Sequence, residues 1–336
     1  MKPLSVHIDP KETHCEIEFP QDFDALEKDL RKQIGKRKFL VVTDKNVAKF
    51  STFPARFKDN LLILQSGELN KNWKSVNHVL TECFEREFDR QSVLVTVGGG
   101  VIGDMVGFTA AIFFRGIPFL QVPTSLLAQV DASIGGKTGI DYEYGKNTVG
   151  AIHQPEKIYD CSEFLKTLPA TEVKNGLAEM IKHGIIASPD HFKALETIAS
   201  PAPKIEDIIP LIRDSISIKA NIVEQDEREH GVRMFLNLGH TSGHAIELLS
   251  KYTIPHGQAV AIGTVMAANY ALEKGLCDDE TVDRIENIFN QFDIDLICDF
   301  DEKEIWEAMK HDKKKKDGKI RLVLPKKIGE VVVVSV

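Results

Sequence analysis

The sequence contains no run of about 18 consecutive apolar residues, so it offers no membrane span. It also lacks any C-x-x-C pair: the five cysteines (Cys15, Cys83, Cys161, Cys277, Cys298) are odd in number and widely scattered. Neither a disulfide framework nor a thiolate zinc cage is expected, and free thiols in a reducing compartment are. Basic excess is missing too. The net charge is -8, which argues against the positive footprint of a nucleic-acid binder. Residues 1–9 are too polar for the apolar core of a secretory leader. The expectation is a cytoplasmic globular protein with neither membrane nor nucleic acid as partner. If such an acidic protein takes an anionic ligand, it must gather its positive charge locally.

What is present reads as two halves. At 336 residues the chain has room for two domains of ~100–200 residues. Over residues 1–165, short apolar runs alternate with helical patterns, as in a parallel α/β sheet. Strands are expected at 39–43, 61–65, 92–97 and 119–122. A helix over 73–88 places Val76, Val79, Leu80, Cys83 and Phe84 on one face. Over residues 166–336 helical periodicity dominates, at 173–186, 205–224, 241–249, 258–274 and 279–292. Two short strands near the end, 320–324 and 331–334, read as a hairpin.

Gly98-Gly99-Gly100-Val101-Ile102-Gly103 follows a strand and opens a helix, the context a dinucleotide loop requires. Bare glycines admit a pyrophosphate, and the helix N-terminus supplies partial positive charge. The bland reading is a tight turn. The acid expected ~20 residues later to hold a ribose is absent, and Pro123 and Thr124 occupy that region. Asp44 and Glu68, each just past a strand, are the candidates instead. NAD is expected in a non-standard frame.

His240 and His244 stand four apart at the start of a helix, which puts both rings on one face. His256 opens the next helix, and Glu179 lies on an amphipathic one upstream. Two or three imidazoles with a carboxylate would hold a divalent cation and leave a coordination position open. The bland reading of the pair is two hydrogen-bonded core histidines. Lys137, in a Gly-rich bend, and Lys146-Asn147, in a second bend, join Lys182, Lys219 and Arg233. Singly each reads as a surface charge; together they would make a cationic pocket for phosphate and carboxylate.

Taken together, the segments Gly98-Gly99-Gly100-Val101-Ile102-Gly103-Asp104, Gln121-Val122-Pro123-Thr124, Asp131-Ala132-Ser133-Ile134-Gly135-Gly136-Lys137-Thr138, Gly145-Lys146-Asn147, Gly176-Leu177-Ala178-Glu179 and Leu236-Asn237-Leu238-Gly239-His240-Thr241 closely resemble the 3-dehydroquinate synthase family in order and spacing. Glu68-Leu69-Asn70-Lys71 and Asp312-Lys313-Lys314 extend the resemblance towards both ends. It implies Glu179, His240 and His256 as ligands of a catalytic Zn(II) or Co(II), with His244 either supporting those ligands or contacting substrate rather than ligating. It implies Asp131, Lys137, Asn147, Lys182, Lys219, Arg233, Asn237 and His244 for the substrate pocket, joined by Lys313 or Lys314. It assigns to NAD the residues Asp44, Glu68, Lys71, Gly98, Gly99, Gly100, Val101, Gly103, Asp104, Thr124, Ser125, Lys137 and Lys146.

The implied architecture is an α/β domain over 1–165, a non-standard Rossmann-like parallel sheet binding NAD, and a mainly α-helical metal- and substrate-binding domain over 166–336. The implied substrate is a small phosphorylated sugar acid, 3-deoxy-D-arabino-heptulosonate 7-phosphate, and the implied assembly a homodimer. In that family's chemistry a hydride passes to NAD, phosphate is eliminated, the hydride returns, and ring opening with aldol closure gives 3-dehydroquinate. Ser242 and Gln258 depart from the family's common Phe and Glu. The nearest rivals are sibling cyclases of other sugar phosphates, then a metal-dependent polyol dehydrogenase, which would give net NADH. A catalytically inactive binding protein is the rival from another class.

Overall fold

The apolar runs of the first half become one sheet, and the periodic stretches of the second become a helical bundle with a hairpin against it. The computed structural model describes residues 13–143, 145–198, 203–313 and 320–336. In chain order come β1 (Glu16–Glu18), α1 (Phe23–Ile34), β2 (Phe39–Asp44), α2 (Lys45–Phe50), β3 (Leu61–Leu64), α3 (Trp73–Glu85), β4 (Val93–Gly98), α4 (Gly100–Ile112), β5 (Phe119–Pro123), β6 (Lys137–Tyr142), β7 (Gly145–Ile152) and β8 (Lys157–Tyr159). The helices α5 (Ala170–Ala187), α6 (Pro189–Glu196), α7 (Ile205–Gln225), α8 (His240–Leu249), α9 (His256–Glu273), α10 (Asp279–Gln291) and α11 (Glu302–Lys313) follow, then β9 (Arg321–Lys327) and β10 (Glu330–Ser335). No described helix is long and apolar enough to cross a membrane.

Six strands pair in the order β1-β8-β5-β4-β2-β3, every pair parallel. The central strand β4 is buried along its whole length, as a strand covered on both faces must be, and its run of Val and Leu meets that demand. From β2 the chain moves outward to β3, then returns to β4 on the other side and continues to β5. The sheet therefore reverses direction between β2 and β4. A crevice opens at the carboxyl ends of the strands at such a switch point, and it is where α/β sheets bind ligands. Asp44 ends β2 and Gly98 ends β4, so both expected cofactor positions fall there.

Helix α3 buries Val76, Val79 and Cys83, but Phe84 is 64% exposed and stacks edge-on over Phe113 instead. One residue past Cys83 is 100° further round the helix, which carries Phe84 off the buried stripe. The two bends expected around Lys137 and Lys146 are instead the antiparallel strands β6 and β7 of one hairpin. Gly139 faces Gly150 across it, and a Cβ on Gly150 would run into the Thr138 carbonyl, so two glycines let the strands approach there. The hairpin lies on α4, where a Cβ on Gly107 would stand 2.6 Å from Thr138 Cγ2. The terminal hairpin β9–β10 forms as expected and is antiparallel. Two of the five free cysteines, Cys83 and Cys161, are buried.

At the end of β8, Asp160 is only 4% exposed and its Oδ2 has no hydrogen-bond partner. Burial pushes this carboxyl up to about 7.

Candidate active site

A cleft of about 1080 Å³ runs along the carboxyl edge of the sheet to the N-terminal ends of α8 and α9. On the sheet side it is lined by Asp44, Glu68, Lys71, Asp104, Thr124 and Ser125. The glycines divide their work. Gly99, Gly100 and Val101 face the cleft. Gly98 and Gly103 are packing positions: a Cβ on Gly98 would stand 2.6 Å from Ile102 Cβ, and one on Gly103 would strike the Gln121 amide on β5. Helix α4 starts at Gly100 with Gly99 as its cap and no side-chain cap bond, so its free N–H groups open on the cleft. An anionic pyrophosphate fits that end.

Lys71 is buried, with Nζ 2.6 Å from Asp104 Oδ2 and 2.5 Å from Asn147 Oδ1. It thereby ties α4 to the β6–β7 hairpin. Burial alone would draw its ammonium down, but the carboxylates of Asp104 and Glu68 hold it above the usual lysine value. Glu68 itself is raised, chiefly by burial.

On the helical side, Glu179 is fully buried on α5 and pairs with Lys182 one turn on. Its Oε1 has no hydrogen-bond donor, yet two imidazoles aim at it: His240 Nε2 at 3.5 Å and His256 Nε2 at 3.7 Å. These are longer than hydrogen bonds. Two ligands at ~2.0–2.1 Å from one tetrahedral zinc would stand about 3.4 Å apart, close to what is seen. The other nitrogen of each ring is tethered: His240 Nδ1 lies 3.2 Å from the Leu238 carbonyl, and His256 Nδ1 lies 3.4 Å from Glu247 Oε2. Metal-binding histidines are commonly fixed in this way.

Burial, then the Lys182 charge, holds His240 well below the usual histidine value and keeps its ring neutral. Burial also opposes a charged His256, but Glu179 and Glu247 override it and raise His256 to about 9. Against burial, Lys182 and His240 keep Glu179 below the usual carboxylate range. A buried anion with an unpartnered oxygen and two tethered imidazoles suits a divalent cation, so the donor set fits Zn(II) or Co(II). His244 lies outside that trio. Its ring is 5.4 Å from that of His240 and 6.3 Å from that of His256, exposed on the cleft wall.

The basic residues converge, but most meet acids. Lys219 Nζ donates to Asp131 Oδ1 at 2.6 Å, Lys146 Nζ pairs with Glu247 Oε1 at 3.2 Å, and Lys137 pairs with Glu229. Asn237 donates to the other oxygen of Glu229. The exception is Arg233, whose guanidinium donates to the carbonyls of Glu227 and Gly135. Gly135 sits at φ +101 with no room for a Cβ beneath that guanidinium, which explains the glycine. Asp131 ends a short π-helical turn over Ala128–Ala132, a local form that aims its carboxylate at Lys219.

Two carboxylates escaped the sequence reading. Glu229 sits in a charged run, Asp226-Glu227-Arg228-Glu229, that reads as solvated surface, so nothing in the sequence pointed to it. Glu247 carried a usable signal: it lies three and seven residues after His244 and His240, hence on their face of α8. The terminal-lysine expectation lies outside the described residues: Lys314 is not among them, and Lys313 closes α11 without a described side chain.

The chain is similar to known proteins over nearly its whole length. Residues 61–175 match the family model described as 3-dehydroquinate synthase N-terminal, and residues 176–315 the C-terminal one. A 3-dehydroquinate synthase from Shewanella sp. (strain MR-4) is 40% identical, covering 98% of this chain and 95% of the relative. One from Sulfurovum sp. (strain NBC37-1) is 43% identical, covering 89% and 87%. Among solved structures, 2-epi-5-epi-valiolone synthase from Streptomyces hygroscopicus subsp. jinggangensis 5008, with NAD+ and Zn2+ bound, superposes with a TM-score of 0.89 at 23% identity, covering 98% and 95%. A 2-deoxy-scyllo-inosose synthase complexed with carbaglucose-6-phosphate, NAD+ and Co2+ gives 0.84 at 25% identity, covering 95% and 93%. The chain belongs to the 3-dehydroquinate synthase family.

Proposed function

We propose that the protein converts 3-deoxy-D-arabino-heptulosonate 7-phosphate to 3-dehydroquinate and phosphate, with NAD and Zn(II) or Co(II) bound. One observation carries this reading: Glu179, His240 and His256 cluster as one donor set, and His256 of that set lines the cleft that the uncapped N-terminus of α4 opens into. Glu179, His240 and His256 would hold the cation, which would supply Lewis-acid polarisation, and the loop at Gly99 and Gly100 would hold NAD, which would supply reversible hydride transfer.

The chain's own groups do the rest. Gly99, Gly100 and the α4 N–H groups take the pyrophosphate, and Asp44 and Glu68 take ribose hydroxyls. Arg233, which pairs with no carboxylate among the described residues, offers its fork to the substrate's carboxylate. Lys137 and Asn237, which Glu229 engages, together with Asn147, take the phosphate once it displaces that side chain. His244, at the rim, holds or passes the proton of a reacting hydroxyl. The reading keeps a division of labour: residues 1–165 carry the nucleotide contacts and 166–336 the cation ligands. It also carries a cytoplasmic homodimer, which sedimentation of the purified protein would check.

The test mixes the purified protein with NAD, Zn(II) or Co(II) and the heptulosonate phosphate. Phosphate and dehydroquinate in equal amounts, with no NADH accumulating, support the reading. Phosphate release from sedoheptulose 7-phosphate but not from the heptulosonate would replace it with a sibling cyclase. Accumulating NADH would replace it with a dehydrogenase.

A further inference from the structure

We infer that Glu247 is a positioning residue that holds His256 for the cation and couples cation binding to NAD binding through Lys146. The inference rests on reading Glu179, His240 and His256 as the ligands.

Glu247 is buried in the last turn of α8, where an ionised carboxylate survives only if both oxygens are matched. They are matched by groups from different parts of the chain. Oε2 stands 3.4 Å from His256 Nδ1 on α9, and Oε1 stands 3.2 Å from Lys146 Nζ on the β6–β7 hairpin. Lys146 also lies 4.1 Å above the Tyr252 ring. His240 differs, because its tether is the carbonyl of Leu238, two residues away on its own strand of chain. That tether is insensitive to anything in the cleft. The tether of His256 is not, because the carboxylate that holds it shares its charge with a lysine lining the cleft beside the nucleotide positions.

An anionic nucleotide drawing on Lys146 would leave Glu247 a stronger acceptor for His256 Nδ1–H. The imidazole then becomes a better donor at Nε2, so NAD should tighten the cation. A second arrangement is geometrically open, since His244, Glu247 and His256 also stand close enough to share an ion. The Lys146 ammonium against Glu247 opposes that, having already supplied the positive charge.

The test titrates metal-free full-length protein with Co(II), following its visible absorption and competing with a chelator, with and without NAD. It compares wild type, Glu247→Gln and Glu247→Ala. The wild type should take one Co(II) per chain, and NAD should tighten it about fivefold or more. Glu247→Gln should lose about 10–100-fold in Co(II) affinity, change the Co(II) spectrum, and erase the NAD effect. If the alanine variant does not fold, the near-isosteric glutamine variant carries the test.

Affinity within twofold of wild type and an unchanged spectrum in Glu247→Gln would overturn the inference. Two Co(II) per wild-type chain, falling to one in Glu247→Gln, would make Glu247 a ligand of a second ion instead. A wild type whose Co(II) affinity ignores NAD would remove the tie to Lys146. A wild type that binds no Co(II) at all would sink the ligand reading itself, a different result from any of these.

Discussion

Glu179 and Asp160 are both sealed from solvent, one on a helix and one at a strand end, and their surroundings drive them in opposite directions. Around Glu179 stand Lys182, His240 and His256, and the carboxylate stays ionised despite its burial. Asp160 has burial and no compensating cation among the described residues, and its carboxyl rises to about 7. Burial therefore does not decide the charge of an acid; the cations packed around it do. The helical side of the molecule is arranged to keep a dry anion ready for a metal, while the sheet end leaves its acid to be neutralised by a proton.

The largest effect expected on this contrast comes from Glu179→Gln. Removing the anionic ligand should cut turnover about 10³-fold, about 4 kcal/mol of barrier, with bound metal falling in parallel. Full metal content with an unchanged rate would break the comparison at its strong end. Lys182→Met comes next. In metal-free protein it strips Glu179 of its counter-charge and should destabilise the fold by about 3–5 kcal/mol. Adding Zn(II) should restore most of the lost Tm, which calorimetry would show; an unchanged metal-free Tm would mean that Lys182 does not balance Glu179.

Asp160→Asn sharpens the other end. The folded-state value is above the unfolded one, so the native state keeps a proton the unfolded chain gives up. The contribution to stability is complete below about pH 4 and is lost as pH rises to about 7. The asparagine variant should nearly match wild type at pH 4 and exceed it by about 4 kcal/mol at pH 8. Denaturant melts across that range decide it, and a gap independent of pH counts against the account. The smallest effect belongs to Asp44→Asn. Asparagine caps α2 as well as aspartate does, so Tm should hold, while NAD affinity should fall about tenfold through the lost charge on a ribose contact. A drop in Tm without loss of NAD binding would reduce Asp44 to a cap.

Much of this was legible in the sequence where the physics is local. The strands expected at 39–43 and 92–97, the glycine loop and the i, i+4 histidines are set by short-range patterns, and the structure has each of them, the strands shifted by one residue at one end or both. The β6–β7 hairpin was not legible, because Gly-rich strands give no alternation and Lys137 and Lys146 looked like bends. The pairing of the cations was not legible either. Lys137 meets Glu229 and Lys146 meets Glu247 across separations of about a hundred residues, which no local pattern encodes. Phe84 shows a further limit: one residue of drift around a helix took it from the core to the surface.

The facing glycines of the β6–β7 hairpin bear on which changes this lineage can accept. Gly139 opposite Gly150 lets the two strands approach closely in this alignment, and Lys146 and Asn147 take their places from it. An insertion or deletion of a single codon between them, unless a bulge absorbs it, would turn every later side chain of the strand to the opposite face. It would take Lys146 from Glu247 and Asn147 from Lys71 in one event. The register is already irregular between Ile140 and Tyr142, so a single added residue leaves Lys146 and Asn147 in place only if a bulge takes it up.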